Sequence, residues 1–141
     1  VSSVARRYYD RGKQALETGD LESAQESLRA ALELAPTFGN ARVAYAVALA
    51  KAGDAPRAQT VLRQGISRAS SPISAAAMYA TLGDVCVLGG DFLGAEEAFG
   101  LAAQTPGFEA RAASGMARVH ARLGRFREMA LALRDAAVRS K

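Results

Sequence analysis

Apolar positions along this chain follow a fixed order, and the order recurs four times. A small residue comes first: Gly12, Ala46, Gly83 or Ala117. Seven residues later stands a glycine: Gly19, Gly53, Gly90 or Gly124. Five residues beyond it comes Ala24, Ala58, Ala95 or Met129, and nine beyond it a large residue, Leu28, Leu62, Phe99 or Leu133. Twelve beyond it stands Ala31, Gly65, Ala102 or Ala136. The four glycines are spaced by 34, 37 and 34 residues. Self-similarity at such a period marks an array of like supersecondary units.

Each unit reads as two helices. The first helices are expected near residues 4–18, 38–52, 73–89 and 108–123, the second near 21–34, 55–69, 92–104 and 126–139. Asp follows the glycine in three units, as Gly19-Asp20, Gly53-Asp54 and Gly90-Asp91. Glycine takes the left-handed conformation that ends a helix, and Asp accepts from the free N–H groups that begin the next. The dipeptide is therefore a stop and a start in one step. The fourth unit has Gly124-Arg125; Arg125 cannot cap, so the last turn is expected to be the least well defined. Pro56 and Pro72 suit first-turn positions, with Ser71 as a cap before Pro72. The three extra residues of the middle period fall around Arg68–Ser71, between units, where insertions are best tolerated. Gly12, Ala46, Gly83 and Ala117 are expected to meet Ala24, Ala58 and Ala95 at close helix approaches. Leu28, Leu62, Phe99 and Leu133 are then expected to fill the layer between neighbouring hairpins. Stability would be a sum of local units and nearest-neighbour contacts.

The order resembles that of the tetratricopeptide repeat family, whose pattern runs aromatic, Leu-Gly, Ala, large apolar, closing Pro. The third repeat carries Tyr79, Leu82-Gly83, Ala95, Phe99 and Pro106; the first carries Tyr8, Gly12, Ala24, Leu28 and Pro36. Arg42 stands where an aromatic is usual, Met129 where Ala is usual and Arg11 where Leu is usual. Those departures bear on individual contacts and leave the period intact. The resemblance covers essentially the whole chain. It implies an all-α fold, a right-handed α-solenoid of four helix-turn-helix hairpins forming one array over residues 1–141. The repeats lie at approximately 5–38, 39–75, 76–109 and 110–141.

Composition agrees with helix and narrows the chemistry. Half the residues are apolar and 23% are charged, which argues against disorder. No apolar run approaches the roughly 20 residues of a membrane-spanning helix. Cys86 is the single cysteine, so no internal disulfide and no cysteine-based metal cluster can form; its register is a packing position. His120, the single histidine, shares the packing register of Ala15, Leu49 and Cys86. HExxH, GxSxG, GxxxxGK[ST] and GxGxxG are all absent. Glu96 and Glu97 are neighbours that diverge by about 100° around a helix, and read as solvated surface. No enzymatic activity and no cofactor are expected.

Charge is uneven. Residues 1–38 hold 5 basic and 6 acidic groups, residues 39–75 hold 5 and 1, residues 76–109 hold none and 5, and residues 110–141 hold 8 and 2. An acidic third repeat between two basic ones, with few aromatics, argues against a continuous nucleic-acid stripe.

The resemblance implies a concave surface, lined by first helices, that binds peptides or helices of other proteins. The period places Arg6, Tyr9, Asp10, Lys13 and Leu16 there, then Asn40, Val43, Ala44, Val47 and Lys51. From the third repeat come Ala77, Ala80, Thr81, Asp84 and Leu88, and from the fourth Arg111, Ser114, Arg118 and Arg122. The centre is small and apolar, and both ends are basic. Family members that hold chaperone C-terminal carboxylates use a Lys/Asn set, and Val43, Ala44, Ala77 and Thr81 stand at or beside those places, so that mode is not expected. The expected partner is an apolar helix or extended segment with acidic flanks. The chain is thus expected to be a scaffold or adaptor in a bacterial pilus, secretion, motility or envelope assembly, in the cytoplasm or periplasm. Two other readings stay open: a docking arm of a larger enzyme, and nucleic-acid or anionic-membrane binding through the basic second and fourth repeats. Helix 126–139 carries Ala130, Leu133 and Ala137 on one stripe, and the chain opens on Val1. A longer array, or self-association through this helix, is therefore expected.

Overall fold

The computed structural model describes residues 1–140; Lys141, the end of the expected fourth repeat, lies outside the described residues. Among the described residues there are eight α-helices and no strand. They are α1 (Ser3–Thr18), α2 (Leu21–Leu34), α3 (Gly39–Lys51), α4 (Ala55–Ser67), α5 (Pro72–Leu88), α6 (Phe92–Ala102), α7 (Glu109–Arg122) and α8 (Phe126–Arg139). Each odd-numbered helix packs on its successor as a hairpin. The fold is the all-α, four-hairpin arrangement that the period demands, and every helix end lies within two residues of its expected place. The hairpins group into two compact units, Val1–Ser70 and Ser71 onward. Their boundary falls on the expected insertion around Arg68–Ser71.

The four turns within hairpins share one construction. Gly19, Gly53, Gly90 and Gly124 all have positive φ, between 73° and 92°. The next residue's N–H reaches back to the last turn of the preceding helix: Asp20 to Ala15 O, Asp54 to Leu49 O, Asp91 to Cys86 O and Arg125 to His120 O, at 2.7–2.9 Å. This is the Schellman arrangement, and only a residue free of a Cβ enters it without cost. Asp20, Asp54 and Asp91 then accept from the N–H of Ser23, Arg57 and Gly94. Ser71 caps α5 by accepting from Ser74 N. Arg125 makes no cap, yet its turn keeps the same course: φ −88° and ψ 65°, beside −90° and 79° at Asp91. The missing side-chain cap is as expected. The backbone bond survives the loss of the carboxylate, and the Arg125 side chain forms an ion pair with Glu96 on α6 instead. Glu96 is thereby half-buried and paired rather than merely solvated.

In the first unit, α1 and α2 both pack against α3. Ala5, Ala31, Phe38 and Ala41 form a buried cluster flanked by Tyr8, Tyr9, Leu32 and Ala35. A Cβ on Gly12 would lie 2.5 Å from the Leu28 side chain. The small residue of α1 thus receives the Leu28 side chain of α2. Arg42, the departure from the family pattern, is buried. It donates to Pro36 O at 3.0 Å and to Val61 O at 3.2 Å, tying α3 to the preceding turn and to α4. Burial, with a smaller contribution from nearby Arg68, lowers its pKa from the usual value. The Pro36 carbonyl in the turn gains its donor in this way, and the Val61 carbonyl a second one beside its bond within α4.

In the second unit, α7 packs on both α5 and α6, and α8 packs on α7. Phe99 of α6 is fully buried. A Cβ on Gly83 of α5 would stand 2.6 Å from its ring, and one on Gly115 of α7 would stand 2.3 Å away. The ring therefore sits on two helices at once, filling the layer between hairpins as expected. Its equivalent Leu133 does not: half of its surface is exposed. Ala130 and Ala137 are exposed beside it. Val85, Cys86 and Val119 complete the buried layer.

Two outcomes follow from this packing. Gly83→Ala should lower the unfolding free energy by roughly 1–2 kcal/mol, because overpacking Phe99 outweighs the helical gain of Ala over Gly. Gly100→Ala, whose Cβ would meet nothing, should raise it by roughly 0.5–1 kcal/mol. Urea titration followed by circular dichroism separates the two, and Phe99→Leu should recover part of the Gly83→Ala loss. Arg42→Ala should cost roughly 1–3 kcal/mol by removing two charge-assisted bonds and leaving the Pro36 carbonyl without its donor. A melting temperature equal to that of the parent would show that the two bonds contribute nothing.

Candidate functional site

On the first unit, the helices α1 and α3 carry the expected contact residues from Arg6 to Val47. Phe38, which the sequence reading missed, organises them. Its ring packs on Tyr9 with centroids 4.9 Å apart and planes at 48°. The Arg6 guanidinium lies 5.9 Å above the Phe38 ring and the Lys13 ammonium 5.6 Å above Tyr9. The two cations therefore sit on aromatic faces while remaining exposed. Each such contact is worth about 0.5–1 kcal/mol at an exposed site, enough to orient a side chain and too little to lock it. Asp10 and Asn40 are exposed; Val43, Ala44 and Val47 are half-buried. Phe38 carried one usable signal: a large apolar residue just before a first helix, within reach of an aromatic one helix pair earlier.

On the second unit, the structure brings Asp84, Arg111, Ser114 and Arg118 together. Asp84 lies on α5 and the other three on α7, and all four line an open cleft of about 510 Å³ beside Ala136 and Ala137 of α8. Arg111 and Arg118 both form ion pairs with the Asp84 carboxylate. The arginine side chains are 40% and 54% exposed and that of Asp84 is 32% exposed, so water reaches every member. Spacing along the chain placed these residues on one face, but gave no hint that one carboxylate would join two guanidiniums.

Two expected contact residues are not available. Ala80 and Thr81 are buried, and the Thr81 hydroxyl donates to Ala77 O at 2.9 Å. Ala77 remains half-buried. His120 is half-buried in the last turn of α7, and its Nδ1 has no hydrogen-bond partner among the described residues. Among the described residues no group of His, Cys, Asp or Glu is placed to hold a metal ion. No described helix is long and apolar enough to cross a membrane.

Two family models, both described as tetratricopeptide repeat, match residues 15–82 and 110–136. No curated protein matches the chain. Among solved structures, a crystal structure of MamA is similar, with a TM-score of 0.77 at 20% identity, over 96% of this chain and 78% of that one. A second, a crystal structure of MamA protein, gives a TM-score of 0.74 at 17% identity, over 99% of this chain and 75% of that one. At such identities the likeness speaks for the fold alone. Repeated Gly turns, paired helices and two family matches converge: the chain belongs to the tetratricopeptide repeat family.

Proposed function

We propose that the protein is an interaction scaffold that binds another protein through the first-helix faces of its two units. The observation that carries this reading is the cleft of Asp84, Arg111, Ser114 and Arg118. It is charged, open, and built of side chains that packing leaves exposed. The first unit contributes the half-buried Val43, Ala44 and Val47 beside Arg6 and Lys13. A solvated helix face normally carries more charge than this one. The chemistry suits an apolar helix or extended segment with acidic flanks. Its apolar side chains would gain roughly 25 cal/mol per Å² buried. Immobilisation would consume much of that gain and leave micromolar affinity. An Ala- and Arg-rich chain of this family suits a bacterial multiprotein assembly, such as one for pili, secretion, motility or the envelope.

The test is a titration with a partner captured from the native host and mapped to a peptide. Val47→Glu should weaken binding roughly tenfold or more, since it places an unpaired carboxylate in the contact. Arg118→Glu should act mainly on the association rate and flatten its salt dependence. Circular dichroism must show both variants folded. Parent-like binding by Val47→Glu, together with loss of binding on changing exposed residues of second helices, would refute the assignment.

A further inference from the structure

Arg111 and Arg118 stand seven residues apart on α7, two turns along one face, with Ser114 between them. Seven residues rise about 10.5 Å, yet both side chains bend to the single carboxylate of Asp84. Arg111 approaches both carboxylate oxygens, with Nη1 3.4 Å from Oδ1 and Nη2 on Oδ2; Arg118 places Nη2 on Oδ1. The acid is not demanded by the hairpin. The same register, six residues before the turn glycine, holds Lys13, Val47 and Arg118 in the other repeats. Among the described residues Asp84 is also the sole carboxylate lining the cleft, against two guanidiniums.

These features fix what an incoming acidic side chain meets. Exposed ion pairs are weak, worth 0.2–1 kcal/mol each at typical sites, so the pairs exchange readily. A guanidinium has five N–H donors and favours a carboxylate in the forked geometry. Asp84 already takes that geometry on Arg111, and its charge repels a second carboxylate. We infer that Asp84 is a built-in competitor: it occupies Arg111 and Arg118 as an internal stand-in for an acidic side chain of the partner, which must displace it to bind. The inference rests on the reading that this face takes an acidic flank. It adds that the free protein holds the site closed by its own carboxylate.

The test uses the full chain at low salt and fluorescein-labelled hexaglutamate, with hexaglutamine as the uncharged counterpart, followed by anisotropy. Asp84→Asn should bind hexaglutamate roughly three- to tenfold more tightly than the parent, the loss of one or two exposed pairs. Glu97→Gln makes the same change of charge at an exposed position of α6, and should leave affinity near that of the parent. Adding Arg118→Gln to Asp84→Asn should abolish the gain, and hexaglutamine should bind none of the proteins. Circular-dichroism melts check folding, and Asp84→Ser carries the same expectation as Asp84→Asn. Weaker or unchanged binding by Asp84→Asn would mean that the acid positions the arginines rather than competes for them, and would overturn the inference. An equal gain from Glu97→Gln would overturn it as well, by reducing the effect to net charge. If neither parent nor Asp84→Asn binds hexaglutamate, the competitor is refuted. The apolar contact of the first unit then still stands or falls by Val47→Glu and the captured partner.

Discussion

The close approach of helices at residues without a side chain is the constraint on which this structure depends. Phe99 rests on Gly83 of α5 and Gly115 of α7, and Leu28 rests on Gly12 of α1. A buried Phe contributes roughly 2–3 kcal/mol, but only if the facing helices come near enough to close around it. A glycine in a helix costs about 1 kcal/mol relative to Ala, and here that cost is offset by the ring it admits. The same trade sets the turn lengths. With one helix seated on another at fixed depth, the chain must reverse in two or three residues, and the left-handed glycine with its back-bonded neighbour does so.

Charge plays a second part. The acidic third repeat and the basic fourth look like an imbalance along the sequence. In space they are a match: Asp84 faces Arg111 and Arg118, and Glu96 faces Arg125. Both sets join the hairpin α5–α6 to the hairpin α7–α8. In the first unit the corresponding work is done by apolar and aromatic packing around Phe38 and by the buried Arg42. The second unit adds exposed ion pairs to its apolar layer around Phe99, where the first adds a buried guanidinium. Cations lie over aromatic rings in both, Arg6 and Lys13 in the first and Arg122 over Phe92 in the second, while the polar cleft belongs to the second. Exposed ion pairs screened by water can be traded for a partner's groups at little cost, whereas a buried guanidinium holding two carbonyls cannot. Residues available for recognition and residues committed to the fold can be told apart on that basis.

Much of the fold was legible in the sequence because it depends on local rules. Left-handed turns need glycine, helix starts need an acceptor, and the period reports both, so helix ends were placed to within two residues. Gly124-Arg125 shows the limit of that logic: the missing cap removed one bond, while the backbone bond that defines the turn remained. Gly12 shows a second limit, because the side chain nearest to it is that of Leu28. Spacing tells which residues share a face, but depth and side-chain length decide which of them fills the gap, and Leu28 reaches it. Of the candidate site, the period assigned the faces, including Asp84, Arg111, Ser114 and Arg118. It could not see that Ala80 and Thr81 are buried, nor that Phe38 supports Tyr9 and Arg6.

By itself, then, the sequence determined the helices, their pairing into four hairpins and the small residues that permit close packing, since each follows from interactions within some 15 residues. Only the tertiary structure decided which large side chain enters which gap, which polar residues are committed to the interior, and which charges meet. Those outcomes depend on contacts between residues as much as 34 positions apart in the chain, as between Asp84 and Arg118. Such contacts exist only after one hairpin has packed on the next.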